Sequence, residues 1–346
     1  MGSTVTVLPF GETLEVGPGE SVLAAILRQG RFVKYGCKHG GCSTCRAEVV
    51  QGDYALSDNT SFSLSDADRA AGLVLLCSTF VDDDELVVDV SGTMDDLSED
   101  EYLAGQHVQE HTAVVDRISA LTHDIRWLGL RLDEPADMTF AAGQYVEVAV
   151  PGSADGWRSF SMANPPGEAG RVDLIIKVLP GGAFSAVLDT AVRCGDRMRL
   201  RGPFGQFGVR LSHRPMIMVA GGSGMAPILA MLSDLAATGN RREVIFFYGA
   251  RSRRDLFLVA ELTDLARTHD WLRFVPALSE PAPADGAWDG ETGLITEVMA
   301  RHLPSTRGME AYLCGPPPMI DAAIGLLKAT GCKERHIFFD RFVPSG

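Results

Sequence analysis

No run of this sequence reaches the roughly 18 consecutive apolar residues that a membrane-spanning helix needs, so none is expected. The opening MGSTVTVLPF lacks a basic region followed by an apolar one, so no secretory signal is expected either. Positive charge is in short supply: 31 Lys and Arg stand against 45 Asp and Glu, a net charge of −14. Such a chain repels nucleic-acid phosphates, and it shows neither a basic stripe nor a helix-turn-helix pattern. The acidity suits a protein partner with a basic docking face, and equally suits plain solubility. Also lacking are internal repeats, low-complexity tracts, the G-x-G-x-x-G dinucleotide fingerprint and the Glu-x-x-His helices of di-iron carboxylate sites. What is there is ordinary for a globular protein, 46% hydrophobic and 22% charged, and 346 residues suffice for two or three domains.

Four of the seven cysteines carry a pattern. Cys37, Cys42 and Cys45 form C-x4-C-x2-C, and Cys77 follows downstream after the apolar run Leu73 to Leu76. This is the thiolate spacing of plant-type 2Fe-2S sites. The segment Tyr35 to Cys45 holds three glycines, which let a loop curl round a compact anionic group and turn backbone N–H groups towards its sulfurs. Zinc is the competing reading, but zinc sites space their thiols as two close pairs and this pattern is three plus one. Cys194, Cys314 and Cys332 lack ligand spacing, and Cys194 and Cys332 are expected to be small core residues. Thiols that must stay reduced point to the cytoplasm.

Along the chain the pattern changes twice. Thr4–Leu8 and Thr13–Val16 alternate like a hairpin, Glu20–Gln29 reads as a short helix, and Arg46–Val50 and Glu85–Val90 read as strands. Met94–Glu101 is acidic and weakly apolar, suited to a linker, which sets a first boundary near residue 100. From His111 to about Val209, short alternating runs separated by Gly and Pro predict an antiparallel barrel. From Pro215 onward, apolar strands at Met216–Ala220, Val244–Tyr248, Leu272–Pro276 and Ala311–Leu313 alternate with helical stretches, which predicts a parallel α/β sheet.

Five further runs of residues suggest chemistry. Arg158-Ser159-Phe160-Ser161 ends a predicted strand with Arg158 and Phe160 on one side and the two serines on the other. Lys177 to Ser185 closes a strand with Gly181-Gly182 and opens a short helix, offering N–H groups to a phosphate or forming a plain turn. Gly221-Gly222-Ser223-Gly224 follows an apolar strand and precedes a helix, the geometry of a pyrophosphate cradle. Cys314-Gly315-Pro316 repeats the arrangement of strand, tight turn and helix start. Arg251, Arg253 and Arg254 end the second α/β strand, where they can accept a 2′-phosphate or simply be solvated.

Together these runs resemble the ferredoxin-reductase superfamily, which carries R-x-[YF]-[ST], G-G-[ST]-G-x-x-P and C-G-P-x-x-M in this order. The resemblance implies a multidomain α+β and α/β protein. Its parts would be a β-grasp ferredoxin domain over 1–100, an antiparallel β-barrel flavin domain over 105–211 and a parallel α/β nicotinamide-binding domain over 212–346. It implies FAD, with Arg158 pairing a phosphate, Phe160 against the flavin, Ser161 near the flavin N5, and Lys177, Gly182 and Ser185 serving the cofactor beside Ser159. Phe160 stands where many members have Tyr, which removes a hydroxyl. It implies Cys314 beside the nicotinamide, positioning it rather than attacking it, with an inert buried thiol as the alternative. Phe342 would lie near the flavin's other face, or end a buried strand. Over CKHGGCSTC, QGDYAL, LVLLC, RSFSMANPP, AGGSGMAP, YLCGPPPMIDAA and FFDRFVPSG the chain resembles the reductase components of bacterial soluble di-iron monooxygenases, in particular those for propane and methane. That implies NADH as donor, a 2Fe-2S cluster as exit, and a hydroxylase as acceptor docking near Lys38–Thr44 and neighbouring acids such as Asp53 and Asp58. Reductases of ring-hydroxylating dioxygenases share the three-part order and are the runner-up. A redox sensor is the alternative of another class.

Overall fold

The structure is a computed structural model that describes residues 3–38, 40–57, 63–94, 97–105, 108–153, 156–168, 170–281 and 288–342. It divides into two compact units, 1–107 and 108–346.

The first unit contains β1 (Ser3–Leu8), β2 (Glu12–Val16), α1 (Val22–Arg28), β3 (Arg46–Gln51), β4 (Tyr54–Leu56), α2 (Asp66–Ala70), β5 (Leu73–Leu75), β6 (Thr79–Val81), β7 (Glu85–Asp89) and α3 (Glu99–Ala104). Five strands form one mixed sheet in the order β2-β1-β7-β3-β5, and β4 pairs with β6 separately. The predicted hairpin is there, with Val5 opposite Leu14, and the Ser21 hydroxyl caps α1 by accepting from the Ala24 N–H. α1 buries Val22, Leu23, Ala25 and Ile26, so its apolar face completes the core that one sheet face cannot close alone. The segment expected to be a linker behaves differently. Asp95 and Asp96 lie outside the described residues, but Ser98 opens a capping box with Glu101, and α3 follows. Its Tyr102 is fully buried and stacks on Phe10 with ring centroids 4.0 Å apart. One buried aromatic outweighs the acidic composition that the sequence displayed.

The second unit opens with β8 (Gln109–Ala120), β9 (Ile125–Glu134), β10 (Tyr145–Ala149), β11 (Trp157–Ser161), β12 (Arg171–Lys177), α4 (Ala183–Thr190) and β13 (Arg197–Phe204). The strands run β11-β10-β13-β8-β9-β12, and an antiparallel bridge from Met162 to Leu174 brings the two ends together, so the barrel is nearly closed. α4 contributes Phe184 and Leu188 to the barrel core. There follow β14 (Met216–Gly221), α5 (Met225–Ala237), β15 (Val244–Ala250), α6 (Val259–Thr268), β16 (Leu272–Leu278), β17 (Glu291–Thr292), α7 (Ile295–His302), β18 (Glu310–Gly315), α8 (Pro317–Ala329) and β19 (Ile337–Arg341). All six strands here are parallel, in the order β17-β16-β15-β14-β18-β19. β14 and β18 are buried along their whole lengths, as expected of strands covered on both faces. The strand order reverses between β14 and β18, which opens a crevice at their carboxyl ends. Barrel residues Ile125, Ala163, Ile175 and Phe207 share one core cluster with Met225, Tyr312 and Cys314, so barrel and sheet are packed together.

At the opposite end of the sheet a buried ion pair fixes the crossing segment between the two. Arg242 and Glu310 meet at 2.7 Å with side chains 9% and 4% exposed. Arg242 also donates to the carbonyls of Arg210 and Arg214, while the Tyr312 hydroxyl donates to Glu310 and accepts from the Arg210 N–H.

Candidate functional site

In the first unit the loop from Tyr35 to Cys45 brings Cys37, Cys42, Cys45 and Cys77 together, all buried. Cys77 arrives on a single 3-10 turn after β5, and the Leu76 N–H donates to the Cys45 carbonyl at 2.9 Å. The thiols stand as two contacting pairs, Cys37 with Cys42 and Cys45 with Cys77. Backbone donors face them as expected: the Gly41 N–H points at Cys37 Sγ (3.0 Å) and the Cys37 N–H at Cys42 Sγ (3.2 Å). The glycines divide their work. Gly40 takes a left-handed φ of 84°, whereas Gly36 leaves space, since a methyl there would stand 2.6 Å from Cys42 Sγ. Lys38 and Ser43 also adopt left-handed φ, of 61° and 59°, which the glycine argument did not foresee. His39 lies outside the described residues.

These residues fit a 2Fe-2S cluster. The neighbouring thiol and burial push both Cys42 and Cys45 well above the ordinary thiol range, so four thiolates here need a strongly positive centre between them. Two pairs suit two irons that share four cysteines. Asp53 lies beyond the end of β3 opposite Cys45, away from the cluster loop, and Asp58 is outside the described residues. Of the remaining thiols Cys332 is buried as expected, but Cys194 is exposed, in a turn where Gly195 has φ 94°.

In the second unit Arg158 and Phe160 lie opposite Val148 and Val146, and Ser159 and Ser161 opposite Glu147 and Tyr145, confirming the alternation read from sequence. Ser161 is buried and Ser159 exposed. Phe160 meets Phe184 of α4 at 4.9 Å, so the R-x-F-S strand and the start of α4 adjoin. Gly182 caps α4 without any side-chain bond, while the Ser185 hydroxyl accepts from the Leu179 N–H (2.9 Å) and fixes the turn. An uncapped first turn adjoining the strand that carries Arg158 fits a phosphate-bearing cofactor.

A cleft of about 370 Å³ lies at the carboxyl ends of the parallel strands. It brings Lys177 of the barrel together with Gly221, Gly222, Arg251 and Pro316, as well as Asp124, Asp255 and Met319. Three glycines make this possible. A methyl on Gly221 would stand 2.8 Å from Met319 Sδ, Gly315 has φ 145°, and Gly224 lies against the Cys314 carbonyl. Ser223, Gly224, Cys314, Gly315 and Phe342 are beside the cleft rather than in its lining. Cys314 is fully buried between Ala220 and Asp340. Burial, with Asp340 beside it, holds its thiol well above the ordinary range, so it stays protonated and is a poor nucleophile. The Phe342 N–H donates to the Gly315 carbonyl (2.9 Å), tying the C-terminal aromatic to this corner. Asp124, Asp255 and Asp340 were missed in the sequence because only the sheet order brings turns so distant in the chain to one place. Their one local signal was a position at or near a strand end.

Known proteins agree with this arrangement. The family described as 2Fe-2S iron-sulfur cluster binding domain matches residues 5–82, oxidoreductase FAD-binding domain 112–208, and oxidoreductase NAD-binding domain 218–324. The reductase component of propane 2-monooxygenase from Rhodococcus jostii (strain RHA1) is 40% identical over 337 residues, covering 96% of this chain and 90% of that protein. The reductase component DmpP of phenol 2-monooxygenase from Pseudomonas sp. (strain CF600) is 39% identical, covering 99% and 95%. The crystal structure of the Amycolatopsis cytochrome P450 reductase GcoB is similar with a TM-score of 0.79 at 30% identity, covering 99% of each chain. No helix among the described residues is long and apolar enough to cross a membrane. The chain therefore belongs to the monooxygenase reductase components, oxidoreductases with a 2Fe-2S, an FAD and an NAD domain that carry electrons from NADH to a hydroxylase.

Proposed function

We propose that this reductase serves the hydroxylase of a di-iron monooxygenase acting on a small hydrocarbon or a phenol. The support is the near full-length similarity to propane, phenol and xylene/toluene monooxygenase electron-transfer components. A second reading has one observation in its favour, the GcoB likeness, since that reductase is described with a cytochrome P450.

When bound, FAD accepts hydride as an electron pair and releases electrons singly to a one-electron cluster. The chain's own residues arrange this. Cys37, Cys42, Cys45 and Cys77 hold the iron, in a loop whose N–H groups neutralise sulfur charge. Arg158 and the first turn of α4, from Gly182 to Ser185, would hold the FAD phosphates, and Ser159, Phe160, Ser161 and Phe342 would hold its ring system, with the Ser161 hydroxyl available as a hydrogen-bonding group to it. The turn Gly221 to Gly224 and Pro316 cradle the dinucleotide pyrophosphate, with Arg251 at the adenosine end and Lys177 reaching in from the barrel. Cys314, neutral and buried, sets the nicotinamide in place while Gly315 lets the backbone approach it.

The observation that carries the reading is the cleft in which a barrel lysine meets the glycine turns of the parallel sheet. Anaerobic titration with NADH, followed by visible absorbance and low-temperature EPR, is the test. Flavin bleaching with a rhombic reduced-cluster signal supports it, and bleaching without that signal overturns the cluster assignment. Hydroxylase-dependent NADH consumption with a di-iron component, and none with a P450, decides the partner.

A further inference from the structure

The turn between β17 and α7 is held more firmly than a two-residue edge strand requires. Glu291 uses both carboxylate oxygens: Oε2 accepts from the Arg301 guanidinium at 2.9 Å, and Oε1 meets His302 Nε2 at 2.6 Å. Arg273, which can only donate, reaches His302 Nδ1 at 2.6 Å, so Nε2 is the donor to Glu291. Arg301 also donates to the Thr292 carbonyl at 2.7 Å, and the Leu294 N–H donates to Glu297 Oε2 at 2.9 Å. Gly293 between them has φ 109°, and a methyl there would stand 2.6 Å from that same Oε2. Its N–H donates to the Leu278 carbonyl at 2.9 Å, which joins the turn to β16.

What this frame presents is Leu294, which is 59% exposed and lines the cleft. A single exposed leucine is ordinary on a protein surface. This one stands at the end of the cleft where β16 and α7 supply Ala277, Ser279 and Ile295, and where no charged side chain from those elements is among the described lining residues. Ile295 beneath it is 7% exposed and closes the floor. The charged lining, Asp124, Lys177, Arg251 and Asp255, comes from the barrel and from the segment after β15.

We propose that Leu294 covers the adenine ring of the dinucleotide, and that Glu291 is a positioning residue that holds it there through Arg301 and the turn. This rests on the cleft being the dinucleotide site. With the pyrophosphate on the Gly221 turn and the nicotinamide at the Cys314 corner, the adenosine half is left for the end that β16 and α7 wall. Adenine is the flat, uncharged part of that half, and laying it on Leu294 removes apolar surface of both from water.

Two ligands separate the halves of the dinucleotide: ADP-ribose carries the adenine, and reduced nicotinamide mononucleotide lacks it. Calorimetric titration of the holoprotein with ADP-ribose should give a Kd about tenfold higher in Leu294→Ser, the loss that one missing apolar contact supports. The KM for NADH should rise in step at constant kcat, whereas kcat/KM for the reduced mononucleotide should match wild type. Glu291→Gln should weaken ADP-ribose binding about threefold and add nothing in the double variant, because it acts only through Leu294. Unchanged ADP-ribose binding in Leu294→Ser, or an equal loss for the mononucleotide, overturns the adenine contact. No loss in Glu291→Gln, or a loss that adds fully to that of Leu294→Ser, overturns the positioning role. Wild-type protein that binds no ADP-ribose overturns the cleft assignment itself.

Discussion

Replacing Gly224 by alanine isolates the contact on which the nicotinamide corner depends. The residue has φ −61° and ψ −9°, a conformation open to any amino acid, so backbone freedom is not why glycine stands there. A methyl would instead stand 2.5 Å from the Cys314 carbonyl carbon, closer still to its oxygen, and 2.7 Å from the Gly315 nitrogen. Those are backbone atoms of β18, which is paired with β14 on one side and β19 on the other and cannot yield. Ordinary contact between carbons begins at about 3.5 Å, so the turn ahead of α5 must retreat by about 1 Å. Overpacking of this kind costs about 1–3 kcal/mol of stability, which a unit of this size survives. A displacement of about 1 Å between groups that position substrate costs about 100-fold in rate. Gly224→Ala should therefore lower kcat/KM for NADH-driven ferricyanide reduction by about 100-fold, close to 2.7 kcal/mol, with flavin and cluster absorbance retained. Gly239→Ala is the control. Its φ is 67° and nothing lies within 4 Å, so it should lose about 1 kcal/mol of stability with no change in rate. Wild-type kcat/KM in Gly224→Ala would refute the reasoning.

Other expectations follow from the same geometry. Glu310→Gln leaves Arg242 buried without its counter-charge, so thermal unfolding should begin on the order of 10 °C lower while rate per folded molecule is kept. Burial alone would raise the Glu310 carboxyl, but Ser212, Arg242 and Tyr312 hold it below its ordinary 4.5. Its stabilisation is thus complete above the unfolded value and lost as pH falls through the folded one, so variant and wild-type melting temperatures should converge in acid. Cys314→Ala should cut the rate of flavin reduction by NADH about 10-fold or more with little change in KM, and the wild-type thiol should resist alkylation in the folded protein. Equal losses in kcat and binding would point to a packing role alone. Cys77→Ala should abolish the EPR signal and electron delivery to the hydroxylase while NADH still bleaches the flavin. Retention of the cluster would remove Cys77 from its ligands.

Local chemistry was legible in the sequence, and long-range pairing was not. Cys37, Cys42 and Cys45 announce themselves because one loop carries three of the ligands. The Gly221 and Cys314 turns do so because each is a strand, a tight turn and a helix start in continuous sequence. The barrel could be expected from alternation but not its closure, which depends on the bridge between Met162 and Leu174. Asp124 and Asp255 are 131 positions apart and meet only through packing of the barrel on the sheet. Arg242 and Glu310 are likewise invisible as a pair, because each looks like an ordinary surface charge next to an apolar strand. The acidic stretch after Met94 misled for the opposite reason: composition averages over a window, whereas a few buried apolar side chains, Met94, Leu97 and the adjoining Tyr102, tie the segment down.

That last helix has a consequence for modularity. α3 returns to the start of its own unit: the Phe32 N–H donates to the Tyr102 carbonyl, and Gly105, with φ 68°, lies so close on Gly30 that a methyl would stand 2.6 Å from its carbonyl oxygen. The iron–sulfur module is therefore sealed by its own tail. A transplantable one-electron carrier would be cut after Gly105. Cutting at the acidic run itself, where composition suggests a joint, would strip the cover from Phe10 and leave an unfinished module.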